Sequence, residues 1–474
     1  MTAFATRRLT LLVLLGLILS LALVAAPRDL TPSATAAGDG SGGKAVAHKA
    51  GGKVVTAPGA PDALFHRVSK ARAIEPTLGI DKKGTVYYTA ASGVTNVDVW
   101  KSKDSGKNWT LTSPTLPGTD VKAHALTLDP YIYVDESTGR IFNIDLTVAC
   151  SNLSYSDDGG ATWVTNPIAC GRPINDHQTL FSGPPAITPE LPAYPEVVYY
   201  CWNDFGAGSS CSKSLDGGVS WAPGTQAFQG YDTEGQGEVC GGFHGHGVVG
   251  EDGTVYLPKE YCGQPWLGIS RDEGLTWERV QVANNTTEYL GSDTSIAVDA
   301  KGNLYYTYET AMQELYLVTS TDGGKTWSKP AMVGHPKVNE VTLPTIDVGD
   351  AGKIAIAYMG SENSPFRGCH PDCQDSDYKD AKWNGYITMT TQALSKNPTF
   401  FSGPVNDRMD PIFRGRCDFT NRCGPVLDFI DIEVSPDGTP YGAFVDACLV
   451  LCIKSGSIDG QDAVVGSMVG LQLR

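Results

Sequence analysis

The chain of 474 residues carries 41% hydrophobic and 19% charged side chains, enough apolar material for a sizeable core and too much for a disordered chain. It has 52 acidic against 36 basic residues; six basic and two acidic residues fall in the first 53, which leaves −20 on the remainder. A body so negative repels phosphate backbones, which excludes general nucleic-acid binding and disfavours anionic substrates.

With 54 Gly, 29 Pro, 20 Tyr and 14 Phe against 7 Met, the balance is turn-rich and aromatic, as in all-β proteins. Taken in chain order, Arg7 and Arg8 precede an uncharged apolar run, Leu11 to Ala26, and then small residues. This predicts an export signal over residues 1–36, with Ala34 to Ala36 or Ala26 as the cut. The Arg pair also fits twin-arginine export. Residues 37–61, rich in Gly and Ala, are expected to be a flexible leader, and 62–474 a single domain. No later run is long and apolar enough to span a bilayer, so the mature protein is expected to be secreted, without a membrane partner, and monomeric.

Five copies of S-x-D-x-G-x-x-W follow, centred on Asp104, Asp158, Asp216, Asp272 and Asp322 and ending in Trp109, Trp163, Trp221, Trp277 and Trp327. Their starts are 54, 58, 56 and 50 residues apart, which marks a repeat architecture. The chemistry is that of a tight turn: Asp accepts backbone N–H groups, Gly supplies positive φ, and Trp folds over the hairpin. These Asp are therefore assigned a structural role. Ahead of each box an apolar run turns at Asp and Gly into an aromatic strand, as in Leu78 to Tyr88 and Ile296 to Tyr308. Two later copies, Ile346 to Tyr358 and Ile432 to Phe444, lack a box; Leu394 to Asn397 and Ser457 to Gly460 are expected in its place. Two hairpins per unit and seven units predict a seven-bladed β-propeller of four-stranded antiparallel blades. Whether an N-terminal strand closes the ring is left open.

The twelve Cys fall into six near-neighbour pairs, a disulfide framework for an oxidising compartment. Register places the loops entering the first strands, and those leaving the second strands, at one end of the channel. The first set brings Glu75, His124, Asp176, His177, His244, His246, Asp293 and Asp428; the second brings Asp145, Asn203, Glu260, Tyr261, Tyr308, Glu309, Glu362 and Asp446. Four of the eight residues in Cys240 to Gly247 are Gly, which suits close backbone approach around two imidazoles. The His set, His124, His177, His244 and His246, has three readings: a divalent metal site, acid/base catalysis, or a polar plug satisfied by backbone. No cofactor is fixed by the sequence beyond that candidate metal.

The boxes resemble the Asp-box, or bacterial neuraminidase, repeat, whose family includes sialidases, other glycoside hydrolases, sorting receptors and assembly factors on propellers. The resemblance implies an extracellular glycan or glycoprotein partner and, for an enzyme, exo-glycoside hydrolysis by a Tyr nucleophile assisted by Glu with an Asp acid/base. Tyr308-Glu309 and Glu260-Tyr261 are the candidate pairs, and Asp176 is a further catalytic candidate. The sialidase Arg motif is absent; Ala71-Arg72-Ala73-Ile74-Glu75-Pro76 keeps an Arg and a Pro. Arg72, Glu75, His177, His244, His246 and Asp293 are the candidate substrate contacts, while Arg172, Arg367, Arg414 and Arg416 have no motif to place them. The rival expectations are a non-catalytic propeller and a metal-dependent enzyme built on the His set.

Overall fold

Seven antiparallel sheets surround an axis. Each starts there with an inner strand: Leu78–Ile80, Tyr131–Val134, Asp176–Gly183, Val248–Val249, Ser295–Val298, Glu340–Val348 and Asp431–Val434 for blades 1 to 7. Each inner strand touches the next, and the seventh touches the first, so the ring closes. The computed structural model describes residues 40–474 except 92–96, 116–117, 120, 124–126, 128, 148–149, 169–175, 189–192, 204–207, 231–241, 285–293, 418–422 and 456–457. The expected export segment, with His124, Arg172 and Asp293, lies outside the described residues. The rest belongs to one unit, Ala37–Arg474. The fold is the predicted seven-bladed propeller.

The blades pack face to face, and this explains the strand composition. The second strands Val197–Asn203, Val255–Tyr261 and Ile354–Ser361 are buried at every position, because each is covered on both faces. Side chains at the inner strands also take up N–H groups of the next blade. Asp431 Oδ2 accepts from Leu78 (3.0 Å), Thr77 Oγ1 from Ile132 (2.8 Å), Ser295 Oγ from Ile346 (3.1 Å) and Asp347 Oδ2 from Val434 (2.6 Å). Such bonds satisfy buried backbone donors that no neighbouring strand reaches.

The five boxes lie in the turns between third and fourth strands. In each, the Ser hydroxyl accepts the Gly N–H at 2.8–3.0 Å and donates to Asp Oδ1. The Asp then accepts the N–H four residues on, as Asp158 does from Thr162 at 2.8 Å. Trp163 donates both to Gly160 O and, at 2.8 Å, to Thr112 O of the preceding blade, so the box joins blades as well as closing a hairpin.

Blades 6 and 7 depart from the pattern in different ways. Leu394 to Asn397 lies, as expected, between the third and fourth strands of blade 6. In blade 7 the expectation fails. Ser457 lies outside the described residues, and Ile458 to Gly460 come before the third strand, Asp462–Val469, rather than after it. That blade has no third turn, because its fourth strand is the N-terminal Asp62–Arg72, paired with Asp462–Val469. The ring is thus closed by joining the two ends of the chain in one sheet. Within residues 37–61, Gly40–Lys44 adds a fifth strand to blade 7 and Val46–His48 an outer strand to blade 6. Gly51 N–H reaches Met332 O of blade 5 at 3.0 Å, so this segment runs as a belt along three blades.

Four disulfides follow near-neighbour pairing: Cys201–Cys211, Cys369–Cys373, Cys417–Cys423 and Cys448–Cys452. Cys262 is also disulfide-bonded. No described Cys is free. Among the described residues no helix is long and apolar enough to cross a membrane.

Candidate functional site at the channel mouth

The loops entering the inner strands meet at the pole opposite the boxes. His177, at the start of blade 3, adopts φ 54° and donates its N–H to Asp129 Oδ2 at 3.4 Å. Its ring stacks on Phe243 (4.9 Å between centroids) and meets His244 (5.8 Å) and Phe429 (5.1 Å) edge-on. His246 meets Phe429 (5.5 Å) and Tyr131 (5.1 Å), and its Nδ1 lies 3.4 Å from Asp431 Oδ1. Residues of blades 2, 3, 4 and 7 thereby converge on one aromatic and imidazole cluster. Phe243 and His246 are its half-buried members; His177, His244 and Phe429 are buried.

The glycines of this loop serve packing. A side chain on Gly245 would overlap the Thr294 carbonyl, one on Gly242 the Glu260 carbonyl, and one on Gly247 the Phe181 ring. Backbone does approach closely here, as the composition suggested, but the structure it approaches is the neighbouring strand. Lys259, fully buried, fixes the base of the loop by donating to Gly242 O (2.7 Å), Ser209 Oγ (3.1 Å) and Asn203 Oδ1 (3.2 Å). Burial, reinforced by His177, holds His244 well below the ordinary imidazole value, so this ring is neutral at physiological pH. His244 Nδ1 is 3.0 Å from Gly245 O, which makes that nitrogen the donor.

The other sequence-derived candidates separate. Glu75 is buried between blades 1 and 7 and accepts Asp428 N–H at 3.3 Å. Asp176 opens the same strand as His177 and lies opposite Asn203 in register. Arg72 ends the fourth strand of blade 7, exposed, and donates to Gln461 at 2.9 Å. Tyr308 is 2% exposed in the core between blades 4 and 5, stacked on Tyr316 at 5.9 Å, and burial pushes its hydroxyl up to about 12. Tyr261 packs on Phe228 and Trp266. Their sequence neighbours Glu309 and Glu260 are half-buried and buried. Period-2 alternation is the reason: where the carboxylate faces one side of the blade, the adjacent Tyr faces the other.

The remaining arginines secure loops. Arg367 pairs with Glu314 (3.0 Å), Arg416 with Asp375 (3.0 Å), and Arg414 donates to Cys452 O (3.0 Å). Among the described residues no group of three or more His, Cys, Asp or Glu is arranged to hold a metal ion. Sequence reasoning missed Tyr131, Phe243, Phe429 and Asp431. The three aromatic residues sit within two residues of an inner strand or of His244, so the register argument would have found them had it admitted aromatic residues; Asp431 opens the inner strand of blade 7, just past the loop residues that the argument considered.

Residues 196–358 match the BNR repeat-like domain family. The chain is a seven-bladed β-propeller, and this middle portion of it resembles that family. No curated protein matches the propeller in sequence. Among solved structures it is similar to a protein of unknown function from Dyadobacter fermentans, at 15% identity and TM-score 0.40, over 86% of this chain and 97% of that one. It is also similar to the leech intramolecular trans-sialidase, at 15% identity and TM-score 0.39, over 80% of this chain and 65% of that one. A third is the fucose-specific lectin of Aleuria aurantia, at 12% identity and TM-score 0.43, over 71% of this chain and 98% of that one.

Proposed function

We propose that this Asp-box propeller is a secreted, monomeric protein that binds an extracellular glycan or glycoprotein at the channel mouth, by contact rather than by Tyr-based hydrolysis. The observation that carries the reading is the half-buried pair Phe243 and His246, backed by His177, Phe429, Tyr131 and Asp431. Aromatic faces suit the C–H faces of a sugar ring, and imidazole with carboxylate suits its hydroxyls. The lectin and the trans-sialidase are likenesses of fold alone, and the reading rests on these side chains. The burial of Tyr308 and Tyr261 weighs against either as nucleophile. Secretion is supported by the four disulfides and by the apolar run from Leu11 to Ala26.

A hydrolase reading rests on another residue. Asp446, at the end of blade 7's second strand, has its carboxyl pushed up to about 7 by burial, against the Arg67 guanidinium at 2.7 Å. A carboxyl that keeps its proton near neutrality is a general acid if substrate reaches it.

Glycan-array and calorimetric binding of the purified protein, beside Phe243→Ala and His246→Ala, tests the first reading. A tenfold or greater loss of affinity in both variants is expected; full affinity in both, or no glycan bound at all, overturns it. Fluorogenic sugar conjugates test the second. Turnover that survives Tyr308→Phe and disappears in Asp446→Asn would replace the binding reading with hydrolysis.

A further inference from the structure

We propose that His48 is the proton-sensitive latch of the N-terminal belt: its neutral imidazole holds the lobe of residues 45–60 on the edge of blade 6, and a proton taken up there releases the lobe. The lobe leaves blade 7 and returns to it, closed at its neck by the Ala45 N–H on Pro61 O at 2.9 Å. On blade 6, Val46, Ala47 and His48 pair with Ser402, Phe401 and Phe400. Lys49 Nζ donates to Asn397 O (2.9 Å) and Thr399 Oγ1 (2.8 Å). The buried side chains of the lobe are Ala45, Ala47 and His48, whose ring stacks on Phe400 at 5.8 Å. Two alanines bury little apolar area, so the seating of the lobe leans on the imidazole.

From His48 a chain of buried hydroxyls crosses blade 6 from its fourth strand to its second. Ser402 Oγ lies 2.5 Å from His48 Nε2 and 2.7 Å from Thr388 Oγ1. Thr388 Oγ1 lies 3.2 Å from Tyr358 Oη, which accepts the His335 N–H at 2.9 Å. All five residues are buried. The two ends fix the sense of the chain. The His335 N–H can only donate, and His48 Nδ1 donates to Lys49 O (3.1 Å), which leaves Nε2 as an acceptor. Tyr358 therefore donates to Thr388, Thr388 to Ser402, and Ser402 to His48. A proton on Nε2 turns that acceptor into a donor and reverses every hydroxyl. The Tyr358 O–H then faces the His335 N–H with no acceptor, and a buried donor goes unmet. The charged and titratable groups around the chain are Lys49 and Lys53 on the lobe, His335 and Lys337 on the loop entering blade 6, and Arg408, paired with Glu362 at 2.8 Å. Burial, then Arg408, holds His335 down to about 3, so it stays neutral while His48 titrates; burial lowers His48 as well.

The sign follows from linkage. A released ring takes its proton near about 6.5 and the seated ring only at lower pH, so the hold is complete above about 6.5 and weakens as pH falls below it, by up to about tenfold per pH unit for one proton. Amide exchange of the full chain, corrected for intrinsic rates, measures the hold. In wild type, protection of residues 46–51 should fall about tenfold or more from pH 7.5 to pH 5, while that of 354–361 in the second strand of blade 6 stays constant. His48→Gln keeps an acceptor but takes up no proton there, and its protection over 46–51 should not change with pH. No fall in wild type, or an equal fall in both proteins, overturns the proposal. Should His48→Gln leave the lobe unseated at both pH values, imidazole NMR titration of the wild type decides. A His48 midpoint below 6.5, with protection of 46–51 lost over the same range, is expected; a midpoint at 6.5 or above refutes the latch.

Discussion

Each Asp box is a small hydrogen-bonded circuit in which two side chains replace several backbone partners. Ser156 Oγ accepts Gly160 N–H at 2.9 Å while buried, so Ser156→Ala leaves a buried donor unmet and should cost about 1–2 kcal/mol in chemical denaturation. Trp163→Ala removes a buried ring and its bond to blade 1, and should cost about 3–5 kcal/mol. Asp158 and Asp322 are held at about 2, first by the hydroxyls of Thr162 and Thr326 and then by their N–H groups. Depressed folded values mean stability that is present above about 4 and lost as pH falls towards 2. Acid unfolding of wild type should therefore shift to higher pH when Thr162 and Thr326 are replaced by Val. An unmoved acid midpoint would show that these circuits add nothing to stability.

Among the elements, three of the disulfides serve the mouth pole of blades 6 and 7. Cys369–Cys373, Cys417–Cys423 and Cys448–Cys452 close loops of only 4 to 6 residues in separation. Short rings restrict the unfolded chain little, so these bonds mainly fix local shape. Arg414 connects the loops: its guanidinium donates to Cys452 O (3.0 Å) and Lys379 O (3.3 Å) from a strand that pairs with Lys382. The loop closed by Cys417–Cys423 runs on to Phe429, which touches both His177 and His246. Reduction should thus speed hydrogen exchange over 363–381, 412–428 and 447–461 and lower glycan affinity, while far-UV circular dichroism stays that of the intact propeller. Loss of the whole β signal on reduction would assign the bonds a global role instead.

In the ring as a whole, closure is the stabilising event. The strand Asp62–Arg72 completes blade 7 and buries Phe65 and Val68 in the largest apolar cluster, which also draws on blades 1 and 6. The belt before it adds the strands Gly40–Lys44 and Val46–His48 at the edges of blades 7 and 6 and contributes only the small side chains of Ala45 and Ala47 to that cluster. Removing residues 37–48 should lower the unfolding temperature by several degrees and leave a cooperative transition. Removing residues 37–72 should abolish the transition, because blade 7 would then lack the strand that covers its third. Differential scanning calorimetry separates these outcomes, and equal effects of the two truncations would contradict the account.

The architecture was legible in the chain because its signals are local and repeated. Ser, Asp, Gly and Trp at fixed offsets specify a turn wherever they occur, and Asp-Gly hairpins set the first two strands of most blades. The sequence misled only where a distant segment intervened. Ser457 to Gly460 imitates a box at the expected interval, yet blade 7 has no hairpin there. Asp62–Arg72, from the other end of the chain, pairs with Asp462–Val469 and takes the place of the missing strand.

The site was legible only in part. Blade count, turns and the approach of His177, His244 and His246 to one pole could all be read from residue order. That Tyr308 and Tyr261 belong to the core became visible only in the folded ring. So did the packing role of the loop glycines, and the presence of Phe243, Phe429, Tyr131 and Asp431 at the mouth. The difference is one of range. Hydrogen-bonded turns are settled within a few residues, whereas the face a side chain presents, and what covers it, depend on which blades the closed ring brings together.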